Sequence, residues 1–209
     1  TKKWCSKWLL GWRDICRVTD ERTVISGVIP ISAVGDKFLL ILPFTNCVQT
    51  ATLLLADQNS IPHDYIARQK YGSTSLKYHY KKQFINIHPS KYTSAEIQFI
   101  TQRVLELTFT SYELADFAHD LGYDGEPYTF NIDRRAILRA ELDAYYARLY
   151  GLNRDELRYI LDPSDLFGED YPSETFRVLK DKEMREFGEY RTRRLVLEAW
   201  DRLEHGELE

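Results

Sequence analysis

The sequence lacks the short motifs that carry the common forms of enzyme chemistry. No two prolines are adjacent, which rules out the Asp/Asn-Pro-Pro-aromatic tetrapeptide of amino-methyltransferases. No glycine stands two positions from another glycine, so neither a dinucleotide-binding loop nor a methyl-donor loop is present. No lysine follows an Asp or Glu by two positions, which excludes the Asp/Glu-x-Lys centre of metal-dependent nucleases. We therefore expect no catalytic residue in this chain.

Cysteines and long apolar runs are also scarce. Cys5, Cys16 and Cys47 are widely spaced, and the five histidines have no metal-ligand spacing, so we expect a reducing, cytoplasmic location and no metal site. The longest apolar run, Phe38–Phe44, is too short to cross a membrane. Because the sequence starts with Thr1 rather than Met, we expect it to be a fragment of a longer chain.

Two groups of polar residues are weak candidates for chemistry. His63 and Asp64 are neighbours in a predicted helix, where their side chains point about 100° apart, so we interpret them as a surface pair. Asp165, Glu169 and Asp170 are interpreted as a solvated acidic loop rather than a metal site.

The net charge of −4 is divided unevenly along the chain. Residues 1–92 contain 13 Lys/Arg and 6 Asp/Glu, whereas residues 93–209 contain 15 Lys/Arg and 26 Asp/Glu. A basic part joined to an acidic part indicates that the first part meets a polyanion. Chance surface composition is the alternative.

The pattern of apolar and turn residues predicts an α+β fold with two parts. Residues 1–92 are expected to form a mixed α/β unit, and residues 93–209 a helical C-terminal region. In the first part we predict strands over 24–31, 37–44 and 84–87, and either one broken helix or two short helices over 46–60 and 61–72.

Capping signals place the helices of the second part. Thr93-Ser-Ala-Glu96 and Asn153-Arg-Asp-Glu156 have the form of capping boxes, and Asn131 is a further expected cap. Gly188 is expected to interrupt a last pair of helices that reaches about Leu203. The segment 163–172 is predicted to be a loop.

Two basic segments are candidates for contact with a polyanion. In the first, the planar guanidinium groups of Arg13, Arg17 and Arg22 suit phosphates and the acceptor edge of guanine. Acidic residues beside these arginines leave an internal salt-bridge network as the alternative reading. The second segment, 68–89, has no acidic residue and interleaves lysines with aromatics. Its candidate contact residues are Lys70, Ser73, Thr74, Lys77, Tyr78, Lys81 and Lys82, of which the lysines would neutralise phosphates. An ordinary surface loop is the alternative here.

Several blocks of the sequence, in order, resemble the C-terminal part of large bacterial restriction-modification proteins. These are the fused Type II adenine-N6 DNA methyltransferases of the Type IIG kind, with relatives in phage-defence systems. The blocks are WLLGWRDICRVTDERTVISGVIP (8–30), LLLADQNSIPHDYIARQKYGSTSLKYHYKKQFINIHP (53–89), RVLELTFTSYELADFAHDLGYDG (103–125), RRAILRAELDAYYARLYGLNRDELRYILD (134–162) and GEYRTRRLVLEAWDRL (188–203).

The resemblance implies that residues 1–92 belong to a DNA target-recognition domain and that the helical region is a spacer. Double-stranded DNA and an upstream methyltransferase domain of the same chain would be the partners. S-adenosylmethionine would bind the parent protein and not this fragment. The family pattern expects Gly-Gly-Thr followed by Asn near 72–76, where this chain has Gly-Ser-Thr-Ser-Leu.

Two other functions remain open on the sequence alone. The chain could be a protein-interaction or scaffold module of a phage-defence complex, whose basic face meets an acidic protein. An autonomous hydrolase is the third reading, and the missing motifs argue against it.

Overall fold

The computed structural model describes residues 4–43, 48–171 and 175–208, and within them the chain has an α+β fold with a helical C-terminal region. The strands are β1 (Trp8–Arg13), β2 (Ser26–Pro30) and β3 (Phe38–Ile41). The α-helices are α1 (Val48–Asn59), α2 (Ile61–Lys70), α3 (Tyr78–Lys81), α4 (Ser94–Thr108), α5 (Ala115–Asp120), α6 (Ile132–Leu149), α7 (Arg154–Leu161), α8 (Ser164–Phe167), α9 (Arg177–Phe187) and α10 (Arg191–Glu204). Short 3-10 helices cover Pro89–Lys91 and Tyr112–Leu114.

The sheet has the strand order β2-β1-β3, with both neighbours antiparallel to β1. The central strand β1 was not among the predicted strands, because it is buried on both faces and shows no alternation of apolar and polar residues. Gly11 permits close packing there, since a Cβ atom at this position would lie 2.5 Å from the Leu39 carbonyl oxygen. The predicted strands over 24–31 and 37–44 correspond to β2 and β3, although Phe44 lies outside the described residues.

The helical structure predicted over 46–60 and 61–72 is present as two helices, α1 and α2. Ser60 separates them with an extended backbone, and its hydroxyl accepts a hydrogen bond from the His63 amide. Pro62 occupies the first turn of α2, where a missing N–H has no cost. Residues 46 and 47 lie outside the described part of the chain.

The strand predicted over 84–87 is wrong. The segment has no regular structure and follows the single turn of α3. Phe84 is buried and Ile85 is 56% exposed, as alternation along a strand would require, but no described strand pairs with the segment. The Ile87 amide donates to the carboxylate of Asp57 (2.9 Å), so a side chain of α1 replaces the partner strand.

The capping signals of the second part are confirmed. Thr93 and Asn153 each form the reciprocal capping box with the glutamate three residues later, and Asn131 caps α6. Gly188 ends α9 in the left-handed conformation (φ 72°), which separates α9 from α10. The loop predicted over 163–172 contains the short helix α8, and residues 172–174 lie outside the described part.

The hydrophobic core is continuous across residue 92. One cluster of buried side chains joins Trp8 and Leu10 of β1 and Leu53 of α1 with Tyr146 of α6 and Trp200 of α10. The Tyr146 hydroxyl donates to the Leu53 carbonyl oxygen (2.9 Å) inside this cluster. The predicted division at 92 therefore marks a change of charge and secondary structure within one packed core.

Among the described helices, none combines the length and apolar content needed to cross a membrane.

Candidate nucleic-acid interface

An isolated β-bridge joins the two basic segments that lie far apart in sequence. It pairs Ile15 with Ser75, and the Leu76 amide donates to the Asp14 carbonyl oxygen (2.7 Å). The Cys16 amide donates to the Thr74 carbonyl oxygen (3.3 Å). The strand-end segment after β1 and the glycine-serine-threonine tip before α3 are thus held side by side.

The carboxylate of Asp14 organises this junction. It is fully buried and accepts hydrogen bonds from the Ser75 hydroxyl (2.6 Å), from Lys77 (2.9 Å) and, more distantly, from Lys37 (3.5 Å). Burial alone would raise the pKa of Asp14, but the hydrogen bonds from Ser75 and Lys77 outweigh it and lower the pKa. Asp14 therefore stays ionised at neutral pH and fixes two lysines beside the tip.

Arg13 and Arg17 flank Asp14 and are exposed. One guanidinium nitrogen of Arg13 lies 3.6 Å from Asp20, whose carboxylate also accepts the Arg17 amide (2.9 Å). The guanidinium of Arg17 has no acidic partner among the described residues. We call the surface of this junction the basic face, formed by Arg13, Arg17, Lys37, Ser73, Thr74, Lys77 and Tyr78.

Tyr78 supplies an aromatic surface to the basic face. Its ring is 47% exposed and stands edge-on to the buried Trp12 ring, with the two centroids 4.9 Å apart. The Tyr78 hydroxyl donates to the Leu40 carbonyl oxygen (3.0 Å), which attaches α3 to the edge of the sheet. The ring is thus fixed in position while one side remains open to a ligand.

Lys70 and Lys82 stand on opposite sides of the tip in sequence, and the fold brings them near each other. Both are exposed, and the Lys70 ammonium donates to the carbonyl oxygen of Gln83 (3.2 Å), the residue after Lys82. No carboxylate of the described residues lies within ion-pair distance of the Lys82 ammonium. Within the described part of the chain, Lys82 and Arg17 therefore lack a compensating carboxylate, as does Lys70.

Two of the predicted contact residues point inward. Lys81 is only 8% exposed, and its ammonium lies among the rings of Trp12 and Phe84 without a hydrogen-bond partner. Burial lowers the pKa of Lys81 to about 7. In this structure Lys81 is thus not placed to neutralise a phosphate, because its ammonium points toward the Trp12 ring and away from solvent.

Arg22 is the other inward residue. It donates to the Asn59 carbonyl oxygen and lies 3.8 Å from the buried carboxylate of Asp143. The internal salt-bridge alternative therefore holds for Arg22 and not for Arg17.

Arg68, which the sequence did not single out, fixes the loop that carries Arg17. Its buried guanidinium donates to the carbonyl oxygens of Val18 (2.8 Å), Asp20 (2.8 Å) and Glu21 (3.0 Å). It also pairs with Asp64 (3.2 Å) and lies 4.6 Å above the Phe176 ring. The loop is thereby attached to both α2 and the C-terminal region.

The remaining weak candidates are structural. His63 and Asp64 are both fully buried, which corrects the interpretation of a surface pair. Asp64 accepts the Thr23 and Val24 amides, and the His63 ring lies 3.7 Å from Asp57. Asp165 pairs with Arg158 (2.7 Å) and Arg193 rather than standing in a solvated loop. Within the described part of the chain, no three metal-ligating side chains converge.

Inward-pointing side chains leave the net charge of the first part's surface the same as that of its composition. Of its six Asp and Glu residues, Asp14, Asp57 and Asp64 are at most 1% exposed. Of its thirteen lysines and arginines, Arg22, Arg68 and Lys81 also point inward. The excess of seven positive charges is therefore carried by the side chains that remain.

Comparisons with protein-family models, with curated proteins and with solved structures gave no match to this chain.

Proposed function

We propose that this chain is the C-terminal, DNA-contacting part of a bacterial restriction-modification adenine-N6 DNA methyltransferase. It would bind double-stranded DNA and position a separate upstream domain, which binds S-adenosylmethionine and methylates a flipped adenine. The resemblance of its sequence blocks to that family motivates the assignment of the parent protein. This chain itself would be non-catalytic, and the proposed location is the cytoplasm.

The observation that supports DNA contact best is the Ile15–Ser75 bridge. The bridge joins residues sixty positions apart, and the two basic segments that carry them meet at a single carboxylate, Asp14. In a salt-bridge network that serves only stability, each cation would be paired with a carboxylate. Arg17 and Lys82 have no acidic partner among the described residues. Uncompensated cations around a rigid tip suit the evenly spaced phosphates of a duplex.

The residues of the basic face, together with Lys70 and Lys82 of the second basic segment, have separable expected roles. Lys82 and Lys70 would neutralise phosphates and give affinity for any sequence. Arg17 and the side chains of Ser73 and Thr74 are short or planar donors at the tip, which suits contact with base edges. Tyr78 would pack against the sugar-phosphate backbone with its open side.

The scaffold alternative predicts a different ligand for the same surface. An acidic protein would meet the basic face through carboxylates, which lack the regular charge spacing of a duplex. Polyglutamate of matched charge would then bind as tightly as DNA.

A salt titration on random-sequence duplex tests the proposal. We expect binding to weaken linearly on logarithmic axes as salt rises, with a slope of about −0.9 for each phosphate neutralised. Polyglutamate should compete poorly. No binding of duplex at about 50 mM salt, or equal binding of polyglutamate, would refute DNA contact by this chain.

A further inference from the structure

Three aromatic side chains form a patch on α7, the end of α8 and the segment after α8. The Phe167 ring packs against Tyr159 (centroids 6.1 Å apart, interplanar angle 84°) and against Tyr171 (4.9 Å, 35°). We call these residues the aromatic patch.

The aromatic patch faces solvent. Phe167 is 61% exposed, Tyr171 39% and Tyr159 36%, and the three rings lie in contact with one another. Rings that pack on one another at the surface form a preorganised contact area that loses little conformational entropy on binding. Clustered exposed aromatics of this kind are typical of binding hot spots.

Acidic residues border the aromatic patch on one side. Glu169 and Asp170 lie between Phe167 and Tyr171 in sequence and are both exposed. No cation of the described residues lies within ion-pair distance of either carboxylate. By contrast, nearby Asp165 is held by Arg158 and Arg193. The two carboxylates are therefore open to an external cation.

Exposed aromatic rings next to carboxylates without ion pairs form a surface that suits arginine better than any other natural side chain. A guanidinium can stack on an aromatic face through cation–π attraction while its edge donates two hydrogen bonds to a carboxylate. Lysine offers a compact charge that satisfies only the electrostatic part. Nucleic acid could stack on the rings, but Glu169, Asp170 and the acidic excess of residues 93–209 repel phosphates.

We propose that the aromatic patch is a docking site for an arginine-containing basic segment of a protein partner. The patch shares no residue with the basic face, so this site is independent of the DNA contact proposed above. It would give the acidic helical region a specific role in assembly, in addition to its packing against the sheet.

A peptide-binding experiment on the 209-residue chain tests this site. The probes are a fluorescent arginine-glycine repeat peptide and a lysine-glycine peptide of the same length and charge, at about 150 mM salt to screen non-specific attraction. The arginine peptide should bind more tightly. Phe167→Ala should weaken its binding about tenfold, and Phe130→Ala, at an equally exposed ring elsewhere, should leave it unchanged.

Three results would overturn the proposal. The first is equal affinity for the arginine and lysine peptides, and the second is unchanged affinity in Phe167→Ala. The third is that another ligand binds the aromatic patch. Either binding of oligothymidine or self-association of the chain, lost in Phe167→Ala, would show this. Because Phe167 is largely exposed, its removal should not unfold the chain, and an unchanged melting temperature checks this.

Discussion

The hydroxyl of Ser75 donates a 2.6 Å hydrogen bond to the fully buried carboxylate of Asp14. This contact and the adjacent β-bridge close a loop of about sixty residues between the first strand and the tip before α3. The geometry of the basic face depends on it, because Lys77 and Lys37 are oriented by the same carboxylate.

Asp14→Asn should lower the free energy of unfolding by about 1–3 kcal/mol, because an amide cannot accept the charge-assisted bonds of Ser75 and Lys77 together. Urea denaturation at pH 7 measures this change. Asp36→Asn is the matched control, since Asp36 is exposed and contacts only Lys37. Equal stability of the Asp14 variant and the wild type would show that the junction is held by its backbone bonds alone.

The same carboxylate predicts a dependence on acid pH. The pKa of Asp14 is lower in the folded than in the unfolded chain, so its ionisation stabilises the fold above the unfolded pKa, near 4. This contribution is lost as pH falls through the lower, folded pKa. Stability of the wild type should therefore fall more steeply below about pH 4 than that of Asp14→Asn. Parallel acid-unfolding curves would contradict this.

Lys81 predicts a dependence of the same sign at alkaline pH, although here the fold favours the neutral form of the side chain. Its pKa of about 7 in the folded protein lies below the unfolded value, so the unfolded chain binds more protons between these two pKa values. Stability should rise by up to about 1.4 kcal/mol per pH unit above pH 7, and Lys81→Met should remove this rise.

Lys82→Met is the matched control for that measurement, because Lys82 is the exposed neighbour of Lys81. Across pH 6, 7.5 and 9, the urea midpoint of Lys82→Met should change by the same amount as that of the wild type. A Lys81→Met variant that keeps the wild-type slope would mean that the Lys81 ammonium reaches water in solution.

Arg68→Ala should cost about 3–5 kcal/mol, because it removes the donors that hold three carbonyl oxygens of the 18–21 loop and leaves Asp64 without its guanidinium partner. Arg68→Lys should rescue only part of this loss, since an ammonium cannot span the same acceptors. Hydrogen exchange at the Asp20 and Thr23 amides should accelerate in both variants. Gln69→Ala, at an exposed neighbour, should leave exchange unchanged, and slow exchange in Arg68→Ala would rule out the clamp.

The sequence predicted those parts of the fold that local chemistry determines. The Thr93 and Asn153 capping boxes and the Gly188 helix end depend on residues within one turn, and all three are confirmed. The strand β1 could not be recognised, because burial on both faces removes the alternation that marks a strand. The segment 84–87 has the apolar residues of a strand but does not pair with another strand. Its Ile87 amide donates to the Asp57 carboxylate instead.

The candidate site was predicted in composition but not in arrangement. The two basic segments were evident from charge, and the exposure of Arg17 and Lys82 agrees with a surface role. Whether Lys81 or Lys82 faces outward depends on the rotation of the single turn α3, which Tyr78 fixes through Leu40. The participation of Lys37 follows from the β1–β3 pairing, a long-range contact with no local signal.

The salt dependence of duplex binding in Lys82→Met and Lys81→Met tests the central claim most directly. If the exposed lysines of the second basic segment contact phosphates, Lys82→Met should reduce the magnitude of the salt slope by about one, and Lys81→Met should leave it unchanged. Equal slopes for the wild type and Lys82→Met, or a reduced slope for Lys81→Met, would contradict the account.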